Sequence, residues 1–202
     1  MAELVNLLAF REGLADGERA AFIDAIRDRL PRGALVAPAL PGGRNAGDLI
    51  VRATIADAPP ADLGMAPAFA DAIASADGAL YDIAARSGDP CAPAIYRTAL
   101  FHAFRDPTEQ RLARFAAETI AMPRRMPFIH SWALGKVTRA WGRFAWDYVW
   151  AQGFDQLEDL TRCYMNHPCH WGQVDRWFDP EHPDWLIEPG LCHAFCRNDG
   201  SR

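Results

Sequence analysis

The sequence predicts an α+β fold in which one chain of 202 residues carries two β-α-β-β-α-β units, residues 1–88 and 89–202. Three observations point there. Gly43-Arg44-Asn45-Ala46-Gly47-Asp48 is echoed by Gly142-Arg143-Phe144-Ala145-Trp146-Asp147, identical at four of six positions, and each stretch runs into an apolar, strand-like triplet. Leu7-Leu8-Ala9-Phe10-Arg11 resembles the stretch from Ala99 to Arg105, and each precedes a helical pattern. Hydrophobic periodicity then changes in the same order through both halves.

In the first half, Glu3 to Arg11 is β-compatible, and Asp16 to Leu30 spaces Ala20, Phe22, Ile23, Ile26 and Leu30 at helical intervals. Ala34 to Ala39 and Asp48 to Ile55 read as strands about a Pro-Gly-Gly turn. Ala61 to Ala76 reads as a helix and Ala79 to Ala84 as the last strand. Ala85 to Pro93, with Gly88, Pro90 and Pro93, is the natural linker. In the second half, strand Ile95 to Phe104 leads to helix Pro107 to Ala121, with Asp106 as N-cap and Pro107 in the first turn. Strands Phe128 to Leu134 and Ala145 to Ala151, helix Asp155 to Met165 and strand Leu191 to Arg197 complete it. This order is the ferredoxin-like arrangement, a four-stranded antiparallel sheet with both helices on one face. The bare faces of the two sheets are expected to pack face to face, closing an α/β barrel within the chain.

Composition narrows the function. Half the residues are hydrophobic and 23% are charged, which is ordinary globular usage. A net charge of -5 argues against a nucleic-acid surface, which needs a basic stripe. The first residues lack a basic start and a long apolar run, and no window approaches a membrane span. A cytoplasmic protein is therefore expected, with its five cysteines as free thiols.

The halves differ in content. All seven tryptophans and all six histidines lie from His102 onward. Any chemistry is expected in the second unit, and the unusual stretch there is Tyr164-Met165-Asn166-His167-Pro168-Cys169-His170. Pro168 disfavours helical backbone at His167, so both histidines fall at a helix end and the turn after it. An imidazole exchanges protons near neutral pH, and a phenol can hydrogen-bond a carbonyl oxygen. The same spacing also fits a helix end where both rings bond the backbone. Alternation along the third strand puts Trp146, Tyr148 and Trp150 on one face. That stripe fits either a pocket wall for a flat apolar ligand or the core beneath the helices. Trp171, just after His170, could close such a site.

Tyr-x-x-His-Pro-x-His, preceded by a strand and by Phe154-Asp155-x-Leu157, resembles the stress-responsive dimeric α/β-barrel (Dabb) family, and within it polyketide cyclases of the olivetolic acid type. The resemblance runs from Ile95 to Arg197; over residues 1–84 it rests on strand order. It implies that His170 is a general base, that Tyr164 orients a carbonyl, and that His167 is the structural histidine of the His-Pro turn. Two positions depart from the cyclase pattern: Thr98 on the first strand and Tyr148 on the third stand where the cyclases have histidines. The pocket is therefore rebuilt, and the polyketide substrate is not implied.

His167, Cys169, His170, Cys192, His193 and Cys196 also invite a zinc reading. On a strand, however, Cys192 and Cys196 would sit about 13 Å apart, too far to share one ion. A Cys169–His170 nucleophilic pair is disfavoured because sequence neighbours rarely converge. The expected function is a cofactor-independent cyclase, isomerase or lyase acting on a small aromatic or enolisable carbonyl compound. The alternative is a non-catalytic stress-responsive protein holding a small apolar ligand. Either would be a monomer with an internal pseudo-dimer, or a homodimer.

Overall fold

A computed structural model describes residues 2–55 and 71–198. Its elements are β1 (Ala2–Phe10), α1 (Asp16–Arg27), β2 (Leu35–Pro38), β3 (Leu49–Ile55), β4 (Ile73–Ser87), β5 (Ile95–Phe101), α2 (Glu109–Ala121), β6 (Ser131–Trp141), β7 (Tyr148–Phe154) and β8 (Cys192–Arg197). The strands form one antiparallel sheet in the order β2-β3-β1-β4-β6-β7-β5-β8. Read from either unit, the local order is second, third, first, fourth, which is ferredoxin-like.

The half-sheets face each other across a shared interior. Val5, Leu7, Ile50 and Tyr81 of the first half pack there with Tyr96, Leu100, Val149 and Cys196 of the second. Alternation gives the other face of each half-sheet to a helix. Phe22 and Ile26 of α1 bury against Leu8, Leu49 and Val51, while Phe115 of α2 buries against Phe101, Tyr148 and Trp150.

The half-sheets also join at their edges. The fourth strand of the first unit, β4, pairs with β6 from Gly78–Trp141 to Ser87–Trp132. The fourth strand of the second, β8, meets the chain just after β2 more sparsely. Leu40 N–H donates to Phe195 O, and Arg44 and His193 exchange both backbone bonds, each at 2.8 Å. The barrel is therefore nearly closed.

The Gly-Arg echoes sit at these two joints. A Cβ on Gly43 would lie 2.6 Å from His193 O on β8, and one on Gly142 2.6 Å from Ala76 O on β4. Gly142 also has a φ of 101°, in the left-handed region. The aspartates that end the echoes do equivalent work. Asp48 Oδ2 accepts from Phe10 N–H at 2.7 Å, and Asp147 Oδ2 accepts from Ala103 N–H at 2.8 Å. Phe10 is thus equivalent to Ala103, so the Phe-Arg pairs ending the other echo, Phe10-Arg11 and Phe104-Arg105, are one residue out of step.

Several boundaries differ from the sequence reading. The helix expected over 61–76 lies outside the described residues up to 70, and from Ile73 the chain is already strand. Alanine is the best helix former, but propensity yields to tertiary pairing, and here β1 bonds the chain from Ile73 and β6 from Gly78. The linker shortens accordingly, since β4 runs to Ser87. Asp106 does not cap α2, because its φ of 49° is far from cap geometry. Thr108 takes that role, its side chain accepting from Arg111 N–H at 3.3 Å. Pro107 then precedes the helix. β6 begins at Ser131, not at Phe128, after a 3₁₀ turn at Met122–Arg125. The helix expected over 155–165 is a wide π-helical turn, Asp159–Tyr164, followed by another at His170–Val174.

Candidate functional site

These two π turns cover the outer face of β5, β7 and β8, and a cavity of about 250 Å³ lies beneath them. Tyr164 and His170 both line it, their rings in edge contact with centroids 4.5 Å apart. Phe101, Phe115 and Phe178 supply apolar wall.

Burial raises the Tyr164 phenol above its ordinary pKa, opposed by the Arg97 charge and by the approach of the Trp150 indole and Gln152 amide. It is therefore a protonated donor at neutral pH. His170 is pushed down to about 4, first by burial and then by Arg97 and His167. Its ring is neutral at pH 7 and free to accept a proton. The second π turn closes with Asp175 N–H on His170 O, which brings the residue five positions on beneath the ring. Asp175 Oδ1 lies 3.4 Å from His170 Nδ1, close but without full hydrogen-bond geometry. Burial raises the Asp175 carboxyl, and Asp179 adds to this.

The other expected pocket residues divide. Trp150 lines the cavity. Trp146 lies instead in the barrel interior, its indole donating to Trp141 O at 3.1 Å. Alternation from Trp146 to Tyr148 fails because β7 starts only at Tyr148. Tyr148 is core beneath α2, 5.6 Å from Phe115 between ring centroids. Thr98, in step with Tyr96 and Leu100, faces the interior and not the cavity. His167 stands outside the cavity, its Nδ1 accepting from Cys169 N–H at 3.1 Å. Trp171 is 60% exposed and closes nothing.

The residues not anticipated are Arg97, His193, Asp175 and Arg44, all at the cavity. Arg97 is 6% exposed. It donates through Nη1 to Gln152 Oε1 at 2.7 Å and lies over the Tyr164 ring at 5.5 Å. Burial lowers its pKa. His193 is driven down to about 2 by burial, then by Arg97 and His170. A charged residue inside an otherwise apolar strand, Ile95-Tyr96-Arg97-Thr98-Ala99-Leu100-Phe101, is the signal that could have found Arg97. Among the described residues no group of three or more His, Cys, Asp or Glu is placed to hold a metal. Burial raises the Cys192 thiol to about 12, so it stays protonated.

A second cavity, of about 600 Å³, opens at the barrel interior beside Tyr81 and Tyr96. Two of its charges pair: Arg52 Nη2 meets Glu3 Oε2 at 2.9 Å, and Thr54 donates to the other carboxylate oxygen at 2.8 Å.

Residues 95–187 match the family model described as Stress responsive A/B Barrel Domain. That stretch matches a Dabb domain. Tyr164, His170, Arg97 and Trp150 fall within it, while Arg44 and His193 reach the cavity from outside the matched range. No curated protein matches the chain. Among solved structures it is similar over its whole length to an anthrone oxidase-like protein, with 10% identity, 94% of that chain covered and a TM-score of 0.63. A putative monooxygenase from Lactobacillus acidophilus NCFM aligns with 98% of this chain and 96% of its own, at 11% identity and TM-score 0.52. A putative chlorite dismutase, TA0507, aligns with 97% and 94%, at 11% identity and TM-score 0.53. At such identity the likeness concerns the fold. No helix among the described residues is long and apolar enough to cross a membrane.

Proposed function

We propose that the chain is a cofactor-independent acid–base enzyme of cyclase, isomerase or lyase type, acting on a small aromatic or enolisable carbonyl compound. The observation that carries this reading is the edge contact of Tyr164 and His170 on the wall of one cavity. His170 Nε2 takes a proton from the carbon beside the carbonyl, and the Tyr164 hydroxyl donates to the carbonyl oxygen. Asp175, beneath Nδ1, favours the tautomer that leaves Nε2 bare. An imidazole held near 4 is a weak base. Stabilisation of the developing enolate therefore has to supply much of the rate, as preorganised donors do. We take residues 1–88 as a degenerate unit that closes the barrel, and 89–202 as the unit with the site.

The test is turnover across a panel of aromatic and enolisable carbonyl compounds. His170→Ala should lower kcat by about a hundredfold or more while leaving ligand binding largely intact. Compounds that bind tightly without any turnover would replace this reading with a non-catalytic ligand-binding protein. Two of the structural neighbours are named as oxidase-like or monooxygenase. Oxygen uptake accompanying turnover would assign an oxidative reaction in place of cyclisation.

A further inference from the structure

The cavity contains a charge that meets no counter-charge among the described residues. Arg97 is buried, yet no carboxylate among the described residues lies within ion-pair distance of it. Its one hydrogen bond is to the neutral Gln152 amide, and its Nε has no partner. Asp175, the carboxylate on the cavity wall, approaches His170 instead. A buried guanidinium is costly unless paired, and folds normally avoid the arrangement. The surroundings add further polar groups. The Trp150 indole N–H and the Gln152 amide nitrogen are both buried and approach only the Tyr164 phenol, short of full hydrogen-bond geometry, and His193 Nε2 is buried without a partner. Arg44 stands exposed at the cavity edge and forms no ion pair among the described residues.

We infer that the cavity receives a small organic anion, an aromatic or enolisable carboxylate whose carboxyl group pairs with Arg97. The inference rests on the cavity being the functional site and adds the class of its substrate. A carboxylate is acceptor-only and planar, matching a guanidinium fork and the indole N–H. The phenylalanine wall selects for an organic body over an inorganic ion. The volume, about 250 Å³, lies just under the roughly 300 Å³ at which ligand sites start and so suits a small, single-ring compound. The bound anion also acts on the base. It offsets the Arg97 charge that helps depress His170, so a carboxylate substrate makes its own base stronger.

The experiment compares salicylate with salicylamide, equal in size but different in charge, by calorimetric titration, with inorganic phosphate as competitor. The intact protein should bind salicylate about tenfold or more tighter than salicylamide, and phosphate should not displace it. Arg97→Gln should bring the two ligands within about twofold of each other, and Arg97→Lys should keep part of the preference. Equal binding of both ligands by the intact protein overturns the inference, as does binding of neither or displacement by phosphate. A preference that survives in Arg97→Gln overturns it too. The outcome is separable from catalysis: His170→Ala should keep the salicylate preference whether or not the acid–base reading holds.

Discussion

Position for position, the two units place very different side chains on equivalent strands. Leu4 pairs with Ala53 between β1 and β3, and Arg97 pairs with Gln152 between β5 and β7. The equivalence follows from the strand ends, where Leu8–Leu49 answers Phe101–Tyr148. Leu4 and Ala53 belong to an apolar cluster with Ile55 and Leu80. Arg97 and Gln152 belong to a cavity with unsatisfied donors. The fold therefore accepts a dry core at this place, and the second unit forgoes it. The joints differ in the same sense. Arg143, at the β4 joint, is neutralised by buried Asp77 at 2.8 Å, while Arg44, at the β8 joint, has no such partner among the described residues. One unit fills this place with apolar side chains, and the other sets a buried guanidinium beside a cavity.

The comparison can be broken by exchanging the pairs. Leu4→Arg should cost about 3–5 kcal/mol in denaturant unfolding, because its described neighbours Ala53, Ile55 and Leu80 are apolar. An unchanged midpoint would show that a guanidinium at this place carries no functional meaning. In the opposite direction, Arg97→Leu with Gln152→Ala should stabilise the protein by about 1–4 kcal/mol while abolishing the salicylate preference. Loss of stability instead would make Arg97 a structural residue. A third measurement follows stability against pH. His170 titrates near 4 in the folded protein against 6.5 when unfolded, so the unfolded chain binds the extra proton between those values. Stability is full above about pH 6.5 and falls as pH drops towards 4, by up to about 3 kcal/mol from this group alone. His193, depressed further, adds to the same trend. Because Arg97 contributes to both shifts, the Arg97→Leu variant should show a shallower slope. An identical slope would mean that burial alone sets them.

Much of the fold was legible because it is written in local periodicity. β1, α1, β2, β3 and β8 fall within a few residues of their expected ranges. Tyr164 and His170 were legible from their spacing about Pro168. The rest depends on register. Thr98 and Arg97 are adjacent in sequence, and only the strand's orientation decides that the threonine faces the barrel interior and the arginine the cavity. Trp146 left the expected stripe because the strand begins two residues later. Asp175 reaches His170 because the turn between them is π-helical, a closure no α-helical count anticipates.

The sequence by itself determined the order of elements, the repeated Gly-Arg-x-Ala-x-Asp entry to the third strand, and a histidine and a tyrosine close together at a helix end. Local patterns suffice for these, since each rests on neighbours within a few residues. Only the tertiary structure decided that an arginine from β5, a histidine from β8 and the π turns meet over one cavity, where no carboxylate among the described residues pairs with the arginine. Burial and unpaired charge are properties of what surrounds a residue, and the surroundings here come from strands and turns far apart in the chain.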